Sequence, residues 1–436
     1  MWGFITCMND ILIPYLKKVF ELSHAQAMTV QLSFFGAYFV GSLIYFLISA
    51  ASGDPINKIG YKNGIILGLL TSAVGTALFF PAAELVSFGF FLAALFVLGI
   101  GFTLLQIAAN PYVAILGQER TASSRLNLSQ GFNSLGTTLA PLIGGYLVFR
   151  YFVGPEITGA DSVKIPYLIF CATFVVLAFV FYFIPLPAFT NKDEIKGRGG
   201  AIQYRHLVLG MIAIFMYVGG EVSIGSIMIG FLGLSEIAGL TEADASIYVA
   251  FYWGGLMIGR FIGAISLSEM KLELKIPIML AVAAAAFLVI GLFSGWDHAS
   301  IYSIFLGVSL VGFFIGKSMP ARTLFVFSLI IITLLTIAMA STGQTAMWAI
   351  IGVGIFNSIM WSNIFTLAIS GLGKYTSQGS SLLVMAIVGG ALLPFAQGAL
   401  ADQIGIHYSY IIPLLAYFYI AFYGLVGYKP VLTTNK

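Results

Sequence analysis

Asp10 stands inside an apolar segment, GFITCMNDILIPYL, with Asn9 beside it and Pro14 one turn on. A charged side chain near the centre of a bilayer costs about 2.5–3.5 kcal/mol on insertion scales. A carboxylate kept there faces a polar interior, finds partners, or binds and releases a proton. Asp10 therefore points to a protein that moves something across a membrane. Glu221, in EVSIG, is a second acid within an apolar run. Amides gather nearby in the chain. Gln106 and Asn110 lie four apart in LLQIAANPYVAIL, which puts them on one helix face. Asn127, Gln130 and Asn133 step by three through RLNLSQGFNSLG. Amides donate and accept, which suits sugar hydroxyls. Trp253 in AFYWGG and Trp361 in FNSIMWSNIF can stack on the apolar face of a sugar ring, with Asn357 four residues before Trp361. Polar side chains also serve as glue between membrane helices, commonly worth about 0.6–2 kcal/mol. Five amides on two neighbouring segments, facing a carboxylate, favour a polar cavity instead. Arg260, in GLMIGRFIG, lies toward the cytoplasmic end of its segment and reads as a gate or snorkelling contact.

Those residues need apolar elements to carry them. The chain has 436 residues, 59% hydrophobic and 8% charged, with a mean hydropathy of +1.00. A soluble domain carries about 25% charged residues. The class is an all-α polytopic membrane protein. The net charge of +3 lies in short loops and does not suggest nucleic acid. Cys7 and Cys171 both sit in apolar segments and read as small interior residues, not a disulfide. No basic start precedes the first apolar stretch, so no cleavable signal peptide is expected. From Met1 to Lys17 the first segment is short for a span, about 24 Å at about 1.5 Å per residue, which suggests a natural start upstream.

Apolar runs fall at roughly 1–16, 27–51, 63–83, 86–116, 124–149, 166–188, 207–234, 245–268, 276–294, 300–316, 323–341, 345–371, 377–401 and 408–428, giving 14 candidate spans. With the N-terminus inside, the inner loops hold 15 of the 20 Lys and Arg and the outer loops hold Lys17, Lys18, Arg150 and Lys164. That bias obeys the positive-inside rule and places both termini in the cytoplasm. The polar stretch 187–206 divides the chain. It predicts an N-terminal six-helix bundle over 1–188, a cytoplasmic linker over 189–206, and a C-terminal bundle over 207–436. The halves echo one another. ANPYVAILG, then Ser123-Ser124, then TLAPLIGGYL is matched by SNIFTLAISGLG, SQGSS and ALLPFAQGAL. Parallel repeats of this kind belong to transporters with a site between two halves.

The histidines, His24, His206, His298 and His407, are scattered, and no HExxH, GxSxG or phosphate-binding loop occurs. The sequence predicts no enzyme, no metal and no cofactor; transport energy then comes from an ion gradient.

WGFITCMNDILIP, FFGAYF, LLQIAANPYVAILG, TASSRLNLSQGFNSLGTTLAP, NSIMWSNIFTLAI and YTSQGSSLLVMAIVGGALLP together resemble the fucose–proton symporter family of the major facilitator superfamily, most of all its bacterial glucose/galactose transporter branch. The loop NKIGYK, 57–62, resembles a degenerate form of that superfamily's loop signature, with Asn57 in place of Asp. The resemblance implies alternating access around a central sugar site, driven by proton or sodium. It implies that Asp10 matches the family's coupling Asp and that Gln130 and Asn133 match its sugar-binding amides. Gln106 stands where the fucose symporters carry a coupling Glu, and Cys7 where they carry Asn, which argues against fucose as the preferred sugar. The family core has 12 helices, so an inserted pair is expected near 276–316.

The expectation is thus a cation-coupled hexose importer, monomeric, in a bacterial inner membrane. Asp10 and Glu221 handle the ion. Asn9, Gln106, Asn110, Gln130, Asn133, Trp253, Asn357 and Trp361 bind sugar, and Arg260 gates. The alternatives are a carrier of N-acetylglucosamine, L-fucose or fructose, an uncoupled facilitator, or a sugar receptor that does not transport.

Overall fold

The computed structural model describes residues 1–52, 55–117, 122–148, 161–187, 200–372 and 376–430. Among them the backbone is helical, with no strand. The helices are α1 (Trp2–Val19), α2 (Thr29–Ser52), α3 (Tyr61–Ala77), α4 (Phe88–Ile115), α5 (Ala122–Tyr146), α6 (Lys164–Phe183), α7 (Arg205–Leu232) and α8 (Glu242–Ser266). They continue with α9 (Leu272–Ser294), α10 (Trp296–Gly316), α11 (Pro320–Ala340), α12 (Gly343–Asn357), α13 (Met360–Ile369), α14 (Thr376–Met385), α15 (Gly389–Ile404) and α16 (Ile411–Phe422). Without water to satisfy backbone groups, helices are the form a buried apolar chain takes in lipid. Most of the predicted linker lies outside the described residues.

Twelve described helical segments are long and apolar enough to cross a membrane, not the fourteen expected from the runs alone. The two that fall short are α1 and α5. They are helical throughout, but α1 carries Asp10, Lys17 and Lys18 and α5 is diluted by amides, serines and threonines. Both of these less apolar helices contribute to the candidate site.

Burial follows the same division. α8 is buried along most of its length, whereas α9 shows large apolar side chains outward, with Phe293 at 86% and Leu292 at 73% exposed. In a membrane that face meets lipid. α8 runs against α5 on one side and α12 on the other. The second contact is backbone to backbone: a Cβ on Gly354 would lie 2.0 Å from the Tyr252 carbonyl oxygen. Only glycine lets the helices approach this closely.

Two breaks matter for the site. The span Gly343–Ile369 is interrupted between α12 and α13, and the Ser358 carbonyl there accepts from Arg260 Nε at 3.1 Å. The span Gly379–Ile404 passes through a tight turn, Ala386–Val388, before Pro394. Proline removes one ladder N–H and crowds the preceding turn. Elsewhere, Lys62 Nζ donates to the carbonyls of Tyr182 (2.8 Å) and Ile184 (2.9 Å), a cation on the C-terminal end of α6.

Candidate functional site

A cavity of about 110 Å³ lies where α1, α4 and α5 meet α7, α8 and α13. Its wall includes Gln106, Gln130, Asn133, Glu221, Trp253, Arg260 and Trp361 of the expected residues. It also includes Trp2, Cys7, Tyr38 and Tyr217, which the sequence reading did not select. Amides, indoles and one ion pair make a lining that hydrogen-bonds hydroxyls on some faces and stacks a ring on others.

Each lining group is held by its helix. Gln106 comes from α4 and stands beside the Tyr38 hydroxyl of α2. Gln130 and Asn133 come from α5. Asn133 is committed in part, because its Oδ1 accepts from the Gly3 N–H at 2.8 Å and so ties the start of α1 to α5. Gln130 gives its backbone carbonyl to Arg260 Nη1 at 3.4 Å, while its side chain looks into the cavity.

Asp10 does not line this wall. It lies just behind Trp253, whose Nε1 donates to Oδ2 at 3.1 Å. Ser226 of α7 donates to Oδ1 at 3.3 Å, and Gln31 of α2 donates to the same oxygen at 3.4 Å and to Ser226 Oγ at 2.8 Å. Four helices therefore converge on one carboxylate that is 2% exposed. The donors drawn to it are all neutral. Gly225 makes room: a Cβ there would sit 3.3 Å from Asp10 Oδ2 and 3.0 Å from the Trp253 ring. Asn9 completes the layer, with Nδ2 donating to Gln31 Oε1 at 3.4 Å and a buried Oδ1 that has no partner among the described residues.

Glu221 is held differently. Its Oε1 accepts from Tyr217 at 2.7 Å and faces Arg260 Nη2 at 3.9 Å. Arg260 also donates to Ser134 Oγ of α5. The guanidinium thus joins α5, α7, α8 and the break before α13. Its five donors in a rigid fork suit that position.

Like Asn9 and Asp10, two further expected residues lie away from the cavity. Asn357 is wholly buried in a tyrosine network, donating to the Tyr252 hydroxyl at 2.9 Å and accepting from the Tyr417 hydroxyl at 2.6 Å. Asn110 lies one turn beyond Gln106, buried, with Nδ2 unpartnered among the described residues. Gln31 and Ser226 were missed by the sequence reading. An amide and a hydroxyl inside apolar runs, TVQLSFF and SIGSIM, were the available signal.

Membrane-crossing helices around a central polar cavity, joined across it by the Asp10 layer and by the bonds of Arg260 to α5, define a multi-pass membrane carrier. The chain belongs to the Major Facilitator Superfamily, whose family model matches residues 3–321. It is similar to the glucose/galactose transporter of Brucella abortus biovar 1 (strain 9-941), with 46% identity over 98% of this chain and 92% of that one. It is 29% identical to the L-fucose-proton symporter of Escherichia coli (strain K12), over 96% and 88% of the two chains. The crystal structure of the Major Facilitator Superfamily transporter FucP in the outward conformation superposes with a TM-score of 0.68 at 28% identity, covering 97% of this chain and 95% of that one. Members of the superfamily are transporters, and the chain is not an enzyme.

Proposed function

We propose that this chain is a cation-coupled sugar importer that carries hexoses, glucose or galactose foremost, by alternating access. The observation that carries the reading is Asp10. Its charge is buried among neutral donors from helices on both sides of the cavity, so binding a cation there both neutralises it and alters contacts between the two sides. Glu221 has Arg260 beside it, which makes it the less available of the two acids. Gln106, Gln130 and Asn133 supply hydrogen bonds to sugar hydroxyls, Trp253 and Trp361 supply the ring platform, and Arg260 gates. Asn9, Asn110 and Asn357 act from behind the wall. The names of the relatives in Brucella and Escherichia support a sugar as cargo and a cation as driver.

In this reading residues 1–188 and 207–436 are the two halves that rock around the cavity, with 189–206 the cytoplasmic linker and α9 and α10 the inserted pair. The protein works as a monomer in a bacterial inner membrane, both termini cytoplasmic, consistent with the placement of Lys and Arg. Uptake of labelled sugars into proteoliposomes, with proton and sodium gradients imposed separately, tests it. Glucose or galactose accumulation that collapses with one of the two gradients is expected. Equilibration without accumulation under either gradient would leave an uncoupled facilitator.

A further inference from the structure

Asp402 ends α15 at the surface, yet both of its carboxylate oxygens are occupied. Oδ1 accepts the His24 N–H and Oδ2 the Ala25 N–H, each at 3.0 Å. Those N–H groups open the turn His24–Ala27, which Ser23 caps and which runs on into α2. The first N–H groups of a helix lack partners within it and carry its positive end, so a carboxylate is favoured there. Here the carboxylate comes from the far end of the chain. The two elements also touch closely beside it: a Cβ on Gly398 would lie 2.7 Å from the Met28 side chain and 3.0 Å from the His24 carbonyl oxygen.

What lies below gives the contact a meaning. A second cavity, of about 520 Å³, is lined by Lys17, Lys18, His24 and Met28 at one end and reaches Ser226, the residue that donates to Asp10. His24, whose N–H is held by Asp402, lines this chamber, and Ser226 connects the chamber to the Asp10 layer. We propose that Asp402 is the outer gate clasp of this carrier. The proposal rests on the alternating-access reading above and on the sidedness given by the charge bias. A state open to the outside separates α2 from α15 at this end and must release both bonds. An exposed carboxylate exchanges them for water at small cost, which a clasp that opens every cycle requires.

Cys7 supplies the reporter, since it lines the central cavity beneath both closures and is 1% exposed. With Cys171→Ser removing the other thiol, Cys7 is labelled with a membrane-impermeant cationic methanethiosulfonate, from outside in intact cells and from inside in inverted vesicles. Asp402→Ala is expected to raise the exterior rate about two- to fivefold, the weight of one anion at a helix N-terminus. Asp402→Asn, which keeps one acceptor oxygen, gives a smaller rise and serves if the alanine variant is lost from the membrane. An exterior rate equal to the parent's in the recovered variants, including no labelling of any protein, overturns the clasp. Sugar uptake by the parent is measured alongside. Faster exterior labelling without any sugar uptake would sink the cargo reading and leave the clasp standing.

Discussion

Trp253 and Arg260 stand seven residues apart on α8, two turns or about 10 Å along one helix face, and each meets a different acid. Trp253 donates to Asp10, and Arg260 faces Glu221. A tilt of this single helix therefore strains or relaxes both contacts together. Under the function proposed above, ion binding at Asp10 and rearrangement at Arg260 would be linked through this one rigid body.

Asp10→Asn is expected to abolish gradient-driven accumulation while retaining sugar exchange. The amide is neutral and cannot bind or release the coupling ion, yet its oxygen still accepts from Trp253. Loss of coupling removes a driving force of about 2.3 kcal/mol per 100 mV for each charge moved. Counterflow and concentrative uptake, measured on the same vesicles, separate the two effects. Full accumulation by the variant would refute the role of Asp10.

Gln130→Ala and Asn133→Ala should differ in kind. Gln130 faces the cavity with its side chain, so its loss raises the sugar half-saturation about two- to tenfold, the worth of one or so neutral hydrogen bonds, with little change in melting temperature. Asn133 also holds the Gly3 N–H, so its loss lowers the melting temperature as well. Equal thermal stability of the two variants in detergent would remove the structural role given to Asn133.

Glu221→Gln leaves Arg260 in the wall without its carboxylate. Removing one partner of a buried pair costs about 3–5 kcal/mol, and a marked fall in melting temperature is expected. Glu221→Gln with Arg260→Gln should recover part of it. Sodium-stimulated uptake that persists in Glu221→Gln would show that Glu221 is not an ion ligand; a parent with proton dependence alone makes that comparison with the proton gradient.

Gly225→Ala places a methyl group 3.0 Å from the Trp253 ring and 3.3 Å from Asp10 Oδ2. The indole must shift, and overpacking of this sort costs about 1–3 kcal/mol. Uptake is expected to fall fivefold or more while the protein remains in the membrane. A parental rate would mean that the Trp253–Asp10 bond is dispensable.

The class, the helices and the central residues were legible in the sequence because lipid leaves few options. Polar groups inside apolar runs must face one another, so Asp10, Gln130, Trp253 and Arg260 could be picked out by type alone. What stayed hidden was which polar groups face the open space. Asn357 and Gln130 look alike as letters, but Asn357 meets two tyrosines, Tyr252 and Tyr417, that are distant in sequence. Gln31 and Ser226 escaped because a single amide or hydroxyl in an apolar run is common, and only the crossing of four helices makes these two converge on Asp10. The count of strongly apolar spans is two lower than the count of runs for a related reason. Three charges in α1 and the amides, serines and threonines of α5 lower their hydropathy, because both helices carry polar residues to the cavity.

α9 and α10 carry a practical consequence. α9 offers most of its surface outward, and the connection at Gly295 takes a backbone angle of φ +100°, which glycine adopts freely. That bend lies at the rim of the molecule, far in sequence from every residue around Asp10. It is a natural place to splice in a rigid soluble domain, giving a small, largely submerged protein a handle for electron microscopy without touching the path of its cargo.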